Sequence, residues 1–568
     1  MKISTLIVMG AGLLSAGELP QPAREHGKGF VLPPSTFRVG AFGPGCDFSS
    51  LQQAIDAAQD RDRILVATDA VFSVQATIDR TLTVVGGYDS CLAEEPGTAQ
   101  TRLVGLGTGS VLTVIATASN INPQITLRNL SINGGSSMAG GGLYADGDLD
   151  LRLENVTIAD SEASGEGGGL MLFDRVRLSV VDRLLLSGNS ANTGGGLYCD
   201  GSSIVVEGNL SISSNTADQV GGADLRHCAL TTLAGSQLHI GSNQSDLTSG
   251  LQAINGSTLD IAGDLVFRFN ESSHRSAMVV SGPGTVANVS GPHTLFEGNV
   301  ISSPLAQGLG WPAALQVSDQ AVTEFTGGPA GCRLTLVDST LNNACTGFID
   351  NQSTPGVGAA RATDGSLTLH RAFFGENESR VGFAQAIEAG AGGDVDLQAN
   401  VFFEHAGDMP LIVADDSQVS AIASTFVNND SVTALIRGTG AATTLALHAL
   451  VTYGNVGDLL QVSDGASAAG TCLYVEEGND AGGLAVAGTV TATDMRTPDV
   501  SARDFAPSPG SRFLDACSDT VHPQLDRDIV GMNRPIDLAD VPDVLGPYDA
   551  GAFELNEEII WINGFEGG

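Results

Sequence analysis

The chain has 568 residues and a net charge of −38, and its length exceeds the ~100–200 residues of one globular domain. A hydrophobic content of 42% excludes general disorder, and its 73 glycines lack the every-third-residue register of a collagen helix. Because acids outnumber bases 64 to 26, the chain also lacks the positive charge that binding to nucleic acid or anionic membranes requires.

The N-terminus has the pattern of a secretory signal peptide. Lys2 precedes an apolar run over residues 3–14, and small residues follow it. The run is shorter than the ~20 residues of a transmembrane helix, and no later segment is long and apolar enough to span a bilayer. We therefore expect a signal peptide at 1–17, an N-terminal extension at 18–45 and a secreted mature chain.

The clearest helical pattern lies at Ser49–Gln59. Ser50 and Gln53 fit a capping box at its start. Its apolar residues fall on one helical face: Leu51, Ala54, Ile55 and Ala58. A short helix with one buried face is typical of a cap over the exposed strand edges at the end of a β structure.

Eight cysteines follow the signal peptide, and an even number favours disulfides formed in an oxidising compartment. They are Cys46, Cys91, Cys199, Cys228, Cys332, Cys345, Cys472 and Cys517. None has CxxC spacing, and no nearby histidine cluster supports a zinc site. Eight cysteines allow 105 pairings. Pairing in chain order, which would staple Cys46 to Cys91, is the preferred hypothesis.

Glycine-rich strings recur at a 27-residue step in the middle of the chain. They begin at Gly140, Gly167, Gly194 and Gly221, and the same step reaches Thr248 and Arg275. The phase returns more loosely at Pro312, Gly358, Ala384 and Pro410. A flexible linker would not keep such a period, so the strings indicate a solenoid of stacked repeats.

A second motif precedes the glycine strings, an apolar residue followed three positions later by Asn. Its asparagines are Asn189, Asn215, Asn243, Asn270, Asn299, Asn377 and Asn429. Runs of alternating apolar and polar residues between the motifs, such as 149–158 and 175–182, predict half-buried strands. Asn side chains in successive coils can hydrogen bond to one another, and glycine allows the positive φ angles needed beside them.

These patterns predict an all-β fold, a right-handed parallel β-helix (a pectin-lyase-like solenoid) over residues 46–500 with the N-terminal capping helix. Leucine-rich repeats also have periods of ~20–29 residues and conserve an Asn, but the leucine spacing here is irregular and the glycine pair has no place in that motif. Propellers need periods of ~40–50 residues. Around fifteen coils at ~4.8 Å each would give a rod on the order of 70 Å long.

The alternation of GGxx and FxxN tetrapeptides resembles the repeats of polymorphic outer-membrane proteins, which form parallel β-helices. The match is close over residues 140–300 and looser over 301–460. GGGL replaces most of the GGAI strings of that family, and Leu or Ile often replaces Phe. The resemblance implies a protein of the Gram-negative cell surface.

Three ordered elements near the C-terminus resemble the C-terminal module of choice-of-anchor Q proteins, which are bacterial surface proteins with varied anchors. The matching residues are Ser508, Pro509, Asp515, Asp526, Gly531, Arg534, Pro535, Asp549, Gly551, Ala552 and Glu554. We assign this module to residues 501–554. The short apolar tail at 555–568 resembles tails of secreted proteins from some Gram-negative bacteria.

Many parallel β-helix enzymes cleave polysaccharides, but the chain has none of the NTD, GHG or RIK signatures of polygalacturonase-like hydrolases. A lyase-like site would need calcium-holding carboxylates beside a basic residue, and the best candidates are predicted to share one strand face: Asp146, Asp148, Asp150 and Arg152. A step of 27 residues places Arg175 and Arg177 over Asp148 and Asp150. We therefore favour cross-coil ion pairs over a Ca²⁺ site.

The remaining candidates have structural interpretations. Asp394 and Asp396 fit an outward strand face, and His227 fits an exposed turn, because the sequence identifies no acid–base partner for it. Cys199 and Cys228 would lie on neighbouring coils only two residues out of register, which favours a disulfide over a nucleophile.

These observations predict no catalytic, cofactor-binding or metal-binding residues. They favour a secreted or surface-displayed bacterial protein, either extracellular or on the Gram-negative outer membrane, that acts in adhesion or interaction with glycans or other surfaces. One alternative is a polysaccharide lyase or glycoside hydrolase with an unfamiliar site, for which Ca²⁺ would be needed to bridge acidic polymers. A second is a passive structural protein of the envelope.

Overall fold

The computed structural model describes residues 33–41, 43–69, 72–302, 311–327, 334–337, 340–343, 346–354, 356–379, 383–495, 505–518, 525–538, 543–544 and 546–555. The chain winds into a right-handed parallel β-helix of about 15 turns, which confirms the predicted fold class. A regular coil contributes one strand to each of three parallel sheets, named sheets 1, 2 and 3 in chain order within a coil. Alternating side chains point inward and form one continuous apolar core.

Sheet 1 has the strands Ala76–Ile78, Leu112–Ile115, Leu143–Asp146, Leu170–Phe173, Leu197–Asp200, Ala223–Arg226, Leu251–Ile254, Met278–Ser281, Leu315–Ser318, Ala360–Thr363, Ile387–Gly390, Ile412–Asp415, Asp430–Thr439 and Val456–Val462, with Ala406–Gly407 at one end. Sheet 2 has Thr36–Val39, Arg63–Ala67, Leu82–Tyr88, Gln124–Asn133, Leu149–Ala159, Val176–Val180, Ser203–Val206, Ala229–Thr232, Thr258–Ile261, Val286–Val289, Val322–Phe325, Ser366–His370, Asp394–Gln398, Gln418–Ile422, Thr444–His448 and Ser467–Thr471.

Sheet 3 shares the two long strands Gln124–Asn133 and Leu149–Ala159 with sheet 2. Its other strands are Phe72–Val74, Thr101–Gly105, Arg183–Ser187, Asn209–Ser213, Gln237–Gly241, Asp264–Arg268, Thr294–Glu297, Thr346–Ile349, Ala372–Gly375, Val401–Phe403, Thr425–Val427, Val451–Tyr453, Leu473–Glu476 and Val486–Val490. A smaller parallel sheet follows sheet 3, with Ser136–Ala139, Glu162–Glu166, Ser190–Ala191, Thr216–Ala217, Gln244–Ser245, Glu271–Ser272, Val300–Ile301, Gln352–Ser353 and Glu378–Ser379. Leu334–Val337 and Thr340–Asn343 form an antiparallel hairpin.

The N-terminal end carries the predicted helix, at Leu51–Ala57. All four residues of its predicted apolar face are buried. The capping box is wrong, because the N-cap residue Ser50 makes no side-chain hydrogen bond to the helix. The strand Thr36–Val39 pairs in parallel with Arg63–Val66. The first strand of the β-helix therefore lies before residue 46, where the sequence predicted that the β-helix begins.

The glycine strings begin the strands of sheet 1, and their period is less regular than predicted. Leu143, Leu170 and Leu197 stack at steps of 27, but Leu197 faces Ala223, which is 26 residues later. The glycine string that begins at Gly221 is therefore displaced by one residue from the predicted step of 27. The loosely phased strings also reach this sheet, since the strands at Leu315, Ala360, Ile387 and Ile412 pair in succession.

The predicted asparagines form a buried ladder at the corner that follows sheet 3. In most coils the side-chain Nδ2 donates to the Oδ1 of the Asn in the next coil at 2.9–3.1 Å. The ladder consists of Asn189, Asn215, Asn243, Asn270, Asn299, Asn351, Asn377, His405, Asn429 and Asn455. Three of its members, Asn351, His405 and Asn455, were not predicted.

Phenylalanines three residues before the ladder stack inside the second half of the helix. Their ring centroids are 4.8–4.9 Å apart and their planes nearly parallel. The stack consists of Phe267, Phe296, Phe348, Phe374, Phe402 and Phe426. The coil spacing of ~4.8 Å sets this separation, so one residue type at one position repeats the same contact in every coil.

The glycine and asparagine motifs occur together because their residues touch. A Cβ on Gly169 would lie 2.8 Å from Nδ2 of Asn189, and a Cβ on Gly196 would lie 2.9 Å from Nδ2 of Asn215. The predicted positive φ belongs to the glycine at the start of the string, for example Gly167 at +66°. The later glycines of each string have no side chain, and this leaves room for the asparagine ladder.

The described parts of residues 505–555 pack along the outside of sheet 3. The backbone N–H of Ala552 donates to Oγ1 of Thr425 at 2.9 Å, and that of Gly551 donates to the carbonyl of Ala449 at 2.7 Å. Apolar residues from both partners form a second core, including Phe403, Phe505, Phe513, Ile529 and Ala552. This C-terminal segment thus covers the later coils from the side.

Candidate binding surface at the corner of sheets 1 and 2

The predicted acidic candidates lie at a corner of the helix but do not share a strand face. Asp146 ends a strand of sheet 1, and the chain turns at Gly147, whose φ is +95°. Asp150 and Arg152 belong to the next strand, in sheet 2. The prediction of one strand face was wrong because a turn separates the residues, although the turn keeps them at one edge of the coil.

Arg177 holds two of these carboxylates. Its Nη1 lies 2.7 Å from Oδ1 of Asp148, and its Nε lies 2.5 Å from Oδ1 of Asp150. The strand register places Asp150 opposite Arg177, as predicted. The predicted pair of Asp148 with Arg175 is wrong, because Arg175 contacts Asp174 at 3.4 Å instead.

The electrostatics of this corner favour the ionised form of Asp148. The hydrogen bond from Arg177 lowers the pKa of Asp148, and the charge of Arg175 acts in the same direction. Arg152 contacts Glu154 at 2.5 Å rather than a residue of the next coil. A carboxylate that stays ionised and engaged with a guanidinium is a poor proton donor, so this arrangement suits binding better than acid catalysis.

A row of side chains, which we call the corner row, runs beside these ion pairs along sheet 1. It consists of Asp146, Phe173, Asp200 and Arg226, which stack in successive coils. Phe173 is 40% exposed. The hydroxyl of Tyr144 donates to Oδ2 of Asp146 at 3.1 Å. An exposed ring between carboxylates therefore faces solvent.

Arg226 is fixed at its end of the corner row. Its Nη2 lies 2.8 Å from Oδ2 of the fully buried Asp224, and its guanidinium lies 5.4 Å from the ring centroid of Tyr198. Thr193 Oγ1 donates to the same carboxylate at 2.8 Å. The buried charge is thus satisfied, and the guanidinium is held in one orientation.

His227 lies in a turn beside the corner row, as predicted. Its φ is +48°, its side chain is 64% exposed, and its Nδ1 lies 3.2 Å from Oδ1 of Asp200. Asp200 is the partner that sequence reasoning missed, although it precedes His227 by one repeat of 27 residues. Cys199 and Cys228 meet behind this turn in a buried disulfide.

Within the described residues, the three predicted disulfides that can be assessed are all present. Cys46 bonds to Cys91, Cys199 to Cys228 and Cys472 to Cys517. Cys332 and Cys345 lie outside the residues with a described environment. The disulfides indicate a protein of an oxidising compartment, extracellular or periplasmic.

Asp394 and Asp396 lie on the outer face of sheet 2, as predicted. Asp394 is exposed, and Asp396 accepts a hydrogen bond from Nε2 of Gln398 at 2.7 Å. Nε2 of His370 lies 3.9 Å from Oδ2 of Asp396. His370, Asp396 and Gln398 therefore form a small polar cluster on this face.

A second charged pair lies on the outer face of sheet 3. Nε of Arg268 lies 2.6 Å from Oε2 of Glu297. Burial raises the pKa of Glu297, and Arg268 opposes the rise. Burial and the charge of Arg268 lower the pKa of His239. His239 and Glu297 lie two coils apart, with the strand of Arg268 between them, so these shifts fit a structural ion pair and its surroundings.

The residues that carried the resemblance to the choice-of-anchor module meet in the C-terminal segment around Arg534. Nε of Arg534 lies 2.7 Å from Oε2 of Glu554, and both side chains are fully buried. The guanidinium also donates to the backbone carbonyls of Gly551 at 3.0 Å and Asp549 at 2.6 Å. Burial raises the pKa of Glu554, which Arg534 opposes.

One residue of that resemblance was assigned wrongly. Asp526 is exposed, whereas Asp528 is buried and accepts hydrogen bonds from the backbone N–H of Met532 at 2.7 Å and of Glu554 at 3.2 Å. Asp528 stands three residues before Gly531, as the D..G..RP spacing requires. This spacing would have identified the buried aspartate.

The sequence and the fold were compared with protein families, curated proteins and solved structures. No family model matches the sequence, and no curated protein matches it. Among solved structures, the crystal structure of Escherichia coli YbhC matches with 12% sequence identity and a TM-score of 0.17, over 55% of this chain and 88% of that chain. The fold described here therefore stands on the strand pairing of this chain. Within the described ranges, no helix has the length and apolar character needed to cross a bilayer.

Proposed function

We propose that the chain is a secreted or surface-displayed bacterial protein that binds glycans or other cell-surface components along the outside of its β-helix. The corner row is the observation that carries this proposal. Phe173 offers an exposed ring, and Asp146 and Asp200 offer acceptor oxygens one coil away on either side. Sugar rings stack on aromatic faces, and their hydroxyls donate to carboxylates.

The repeat suits an extended partner. Successive coils present equivalent positions ~4.8 Å apart, so a polymer that lies along the helix axis meets several coils in turn. The high negative charge favours a neutral glycan over an anionic one, because like charges at the surface repel. The GGxx and FxxN repeats and the C-terminal module support a location at the Gram-negative surface through their resemblance to surface proteins.

Retention on immobilised polysaccharides tests the proposal. We expect the full chain to bind at least one neutral polysaccharide, and the exposed Phe173→Ala variant to bind about two- to tenfold more weakly, since aromatic stacking contributes ~0.5–1.5 kcal/mol. Phe269→Ala is the matched control, because Phe269 is 59% exposed and lies outside the corner row. Equal retention of both variants, or failure of the wild type to bind any polymer, would contradict the proposal.

The same samples test the enzyme alternative, for which the buried carboxylate of Glu297 beside Arg268 on sheet 3 is the candidate group. New reducing ends, with Ca²⁺ present and with active enzymes as positive controls, would replace binding by cleavage as the function. Loss of that activity in Glu297→Gln, but not in Phe173→Ala at the corner of sheets 1 and 2, would locate it on sheet 3. We expect no release.

A further inference from the structure

Three carboxylates meet in the C-terminal segment, away from the corner row. Asp515, Asp537 and Asp543 each offer one oxygen, and these oxygens lie within 4.8 Å of one another. Two oxygens on opposite sides of a Ca²⁺ ion are about 4.6–5.2 Å apart, because Ca–O distances are 2.3–2.6 Å. The group is therefore compact enough to surround one cation.

Asp515 distinguishes this group from a solvated acidic patch. Its side chain is fully buried, and within the described chain neither of its carboxylate oxygens has a hydrogen-bond partner. Asp537 and Asp543 are exposed, so the buried oxygens of Asp515 face a group that is open to solvent. Burying a polar group without a partner costs on the order of 2–7 kcal/mol, and a charged group costs more. A bound cation would supply the missing partner.

The charge balance agrees with this geometry. Burial raises the pKa of Asp515 to about 6, and the charges of Asp537 and Asp543 add to the rise. The backbone amide of Leu538 opposes part of this rise. Without a cation, three carboxylates thus repel one another at the edge of an apolar core.

Hydrogen bonds beside all three aspartates hold their backbone in place. The N–H of Asp515 donates to Oδ1 of Asp549 at 2.9 Å, and its carbonyl accepts from the N–H of Val544 at 2.9 Å. The N–H of Ile536 donates to Oε1 of Glu554 at 2.9 Å. Each candidate ligand is therefore fixed directly or through an adjacent residue.

We propose that Asp515, Asp537 and Asp543 bind one Ca²⁺ ion, which joins three stretches of the C-terminal segment. Oxygen ligands select a hard cation over Zn²⁺. Three carboxylates on irregular backbone favour Ca²⁺ over Mg²⁺, which prefers one or two carboxylates and retains its water. Sequence motifs did not indicate the site, because its residues are spread over 29 positions (515 to 543) without an EF-hand spacing.

Calorimetric titration of the full chain with Ca²⁺ at physiological ionic strength tests the proposal. We expect one saturable site with a Kd of about 10⁻⁴–10⁻³ M, the range of extracellular calcium modules. The double variant D537N/D543N should lose the site without unfolding, because both residues are exposed. The control D394N/D408N removes the same charge from two other exposed aspartates and should retain it.

A thermal shift separates a ligand role from a structural one. Asp515→Asn keeps the shape but removes the charge, so we expect it to match or exceed the melting temperature of the wild type in EDTA and to lose the rise that Ca²⁺ produces. The proposal is overturned by equal Ca²⁺ binding in both double variants, by no saturable binding in the wild type, or by Mg²⁺ binding as tightly as Ca²⁺.

Discussion

The outer face of sheet 3 differs between the two halves of the helix. In the first half it carries polar or part-exposed side chains such as Ser211 and His239. From Leu295 onward it carries buried apolar side chains such as Phe373 and Val401, which the C-terminal segment covers. The interior ladder runs through both halves without a break. The repeat therefore specifies the interior, while the exterior varies along the β-helix and is covered by the chain itself in the second half.

The two halves also differ in how they hold charge outside the core. In the first half Arg177 holds Asp148 and Asp150 at the surface, with its own side chain 44% exposed. In the C-terminal segment, which covers the second half, Arg534 and Glu554 form a pair with no exposure. Solvent weakens the first pair and leaves the second at full strength, so substitutions in the two pairs should have very different costs.

The largest effect is expected from Arg534→Met. The change leaves Glu554 buried without its partner and removes donors to the carbonyls of Gly551 and Asp549. Loss of one partner of a buried pair costs about 3–5 kcal/mol. We expect faster hydrogen exchange in residues 525–555, with the earlier coils unchanged. The double variant R534M/E554Q should recover part of the loss, because it removes the unpaired charge. Unchanged exchange in Arg534→Met would show that the segment does not depend on this pair.

An intermediate effect is expected at His405, where the ladder changes residue type. His405 Nδ1 lies 3.0 Å from Oδ1 of Asn429, and its Nε2 lies 3.3 Å from Nδ2 of Asn377. Nδ1 therefore donates and Nε2 accepts, which requires the neutral ring. Burial lowers its pKa from 6.5 to about 4. The folded state consequently binds fewer protons than the unfolded state between these two values.

Stability should therefore fall as the pH falls from 6.5 toward 4, and His405→Asn should remove this part of the fall. At pH 5 we expect the variant to be about 2 kcal/mol more stable than the wild type, and at pH 8 nearly equal to it. Urea unfolding at the two pH values measures the difference. His227→Asn, at an exposed turn, is the control and should keep the acid sensitivity of the wild type. Parallel pH profiles of His405→Asn and the wild type would contradict the assignment.

The regular part of the fold could be predicted because each coil repeats the same contacts. The asparagine ladder followed from its spacing, and Phe348 with Asn351 fits the same motif although it was overlooked after the irregular stretch that precedes it. His405 could not be predicted from the motif, because a different side chain makes the equivalent hydrogen bonds there.

The position of the C-terminal segment had no such signal. Ala552 contacts Thr425 across 127 residues, and no repeat links the two. A weaker sign was present in the adjacent aromatics Phe373–Phe374 and Phe402–Phe403, because neighbouring strand residues point to opposite faces. Apolar side chains on both faces indicate a covered strand.

The ion pairs at the corner of sheets 1 and 2 were predicted in part. The 27-residue step gave the pair of Asp150 with Arg177, but it did not predict the turn that also brings Asp148 to Arg177.

The smallest effect is expected from Arg177→Met, the surface counterpart of Arg534→Met. Exposed ion pairs stabilise a fold only weakly, so the free energy of unfolding should change far less than in Arg534→Met, even though two carboxylates lose their partner. The pKa of Asp148 should rise when the hydrogen bond from Arg177 is lost, which NMR titration would detect. High salt should reduce the difference between wild type and variant, because exposed charges are screened. A cost as large as that of Arg534→Met would mean that solvent exposure does not separate the two halves, and that the corner serves to hold the coils together rather than to meet a partner.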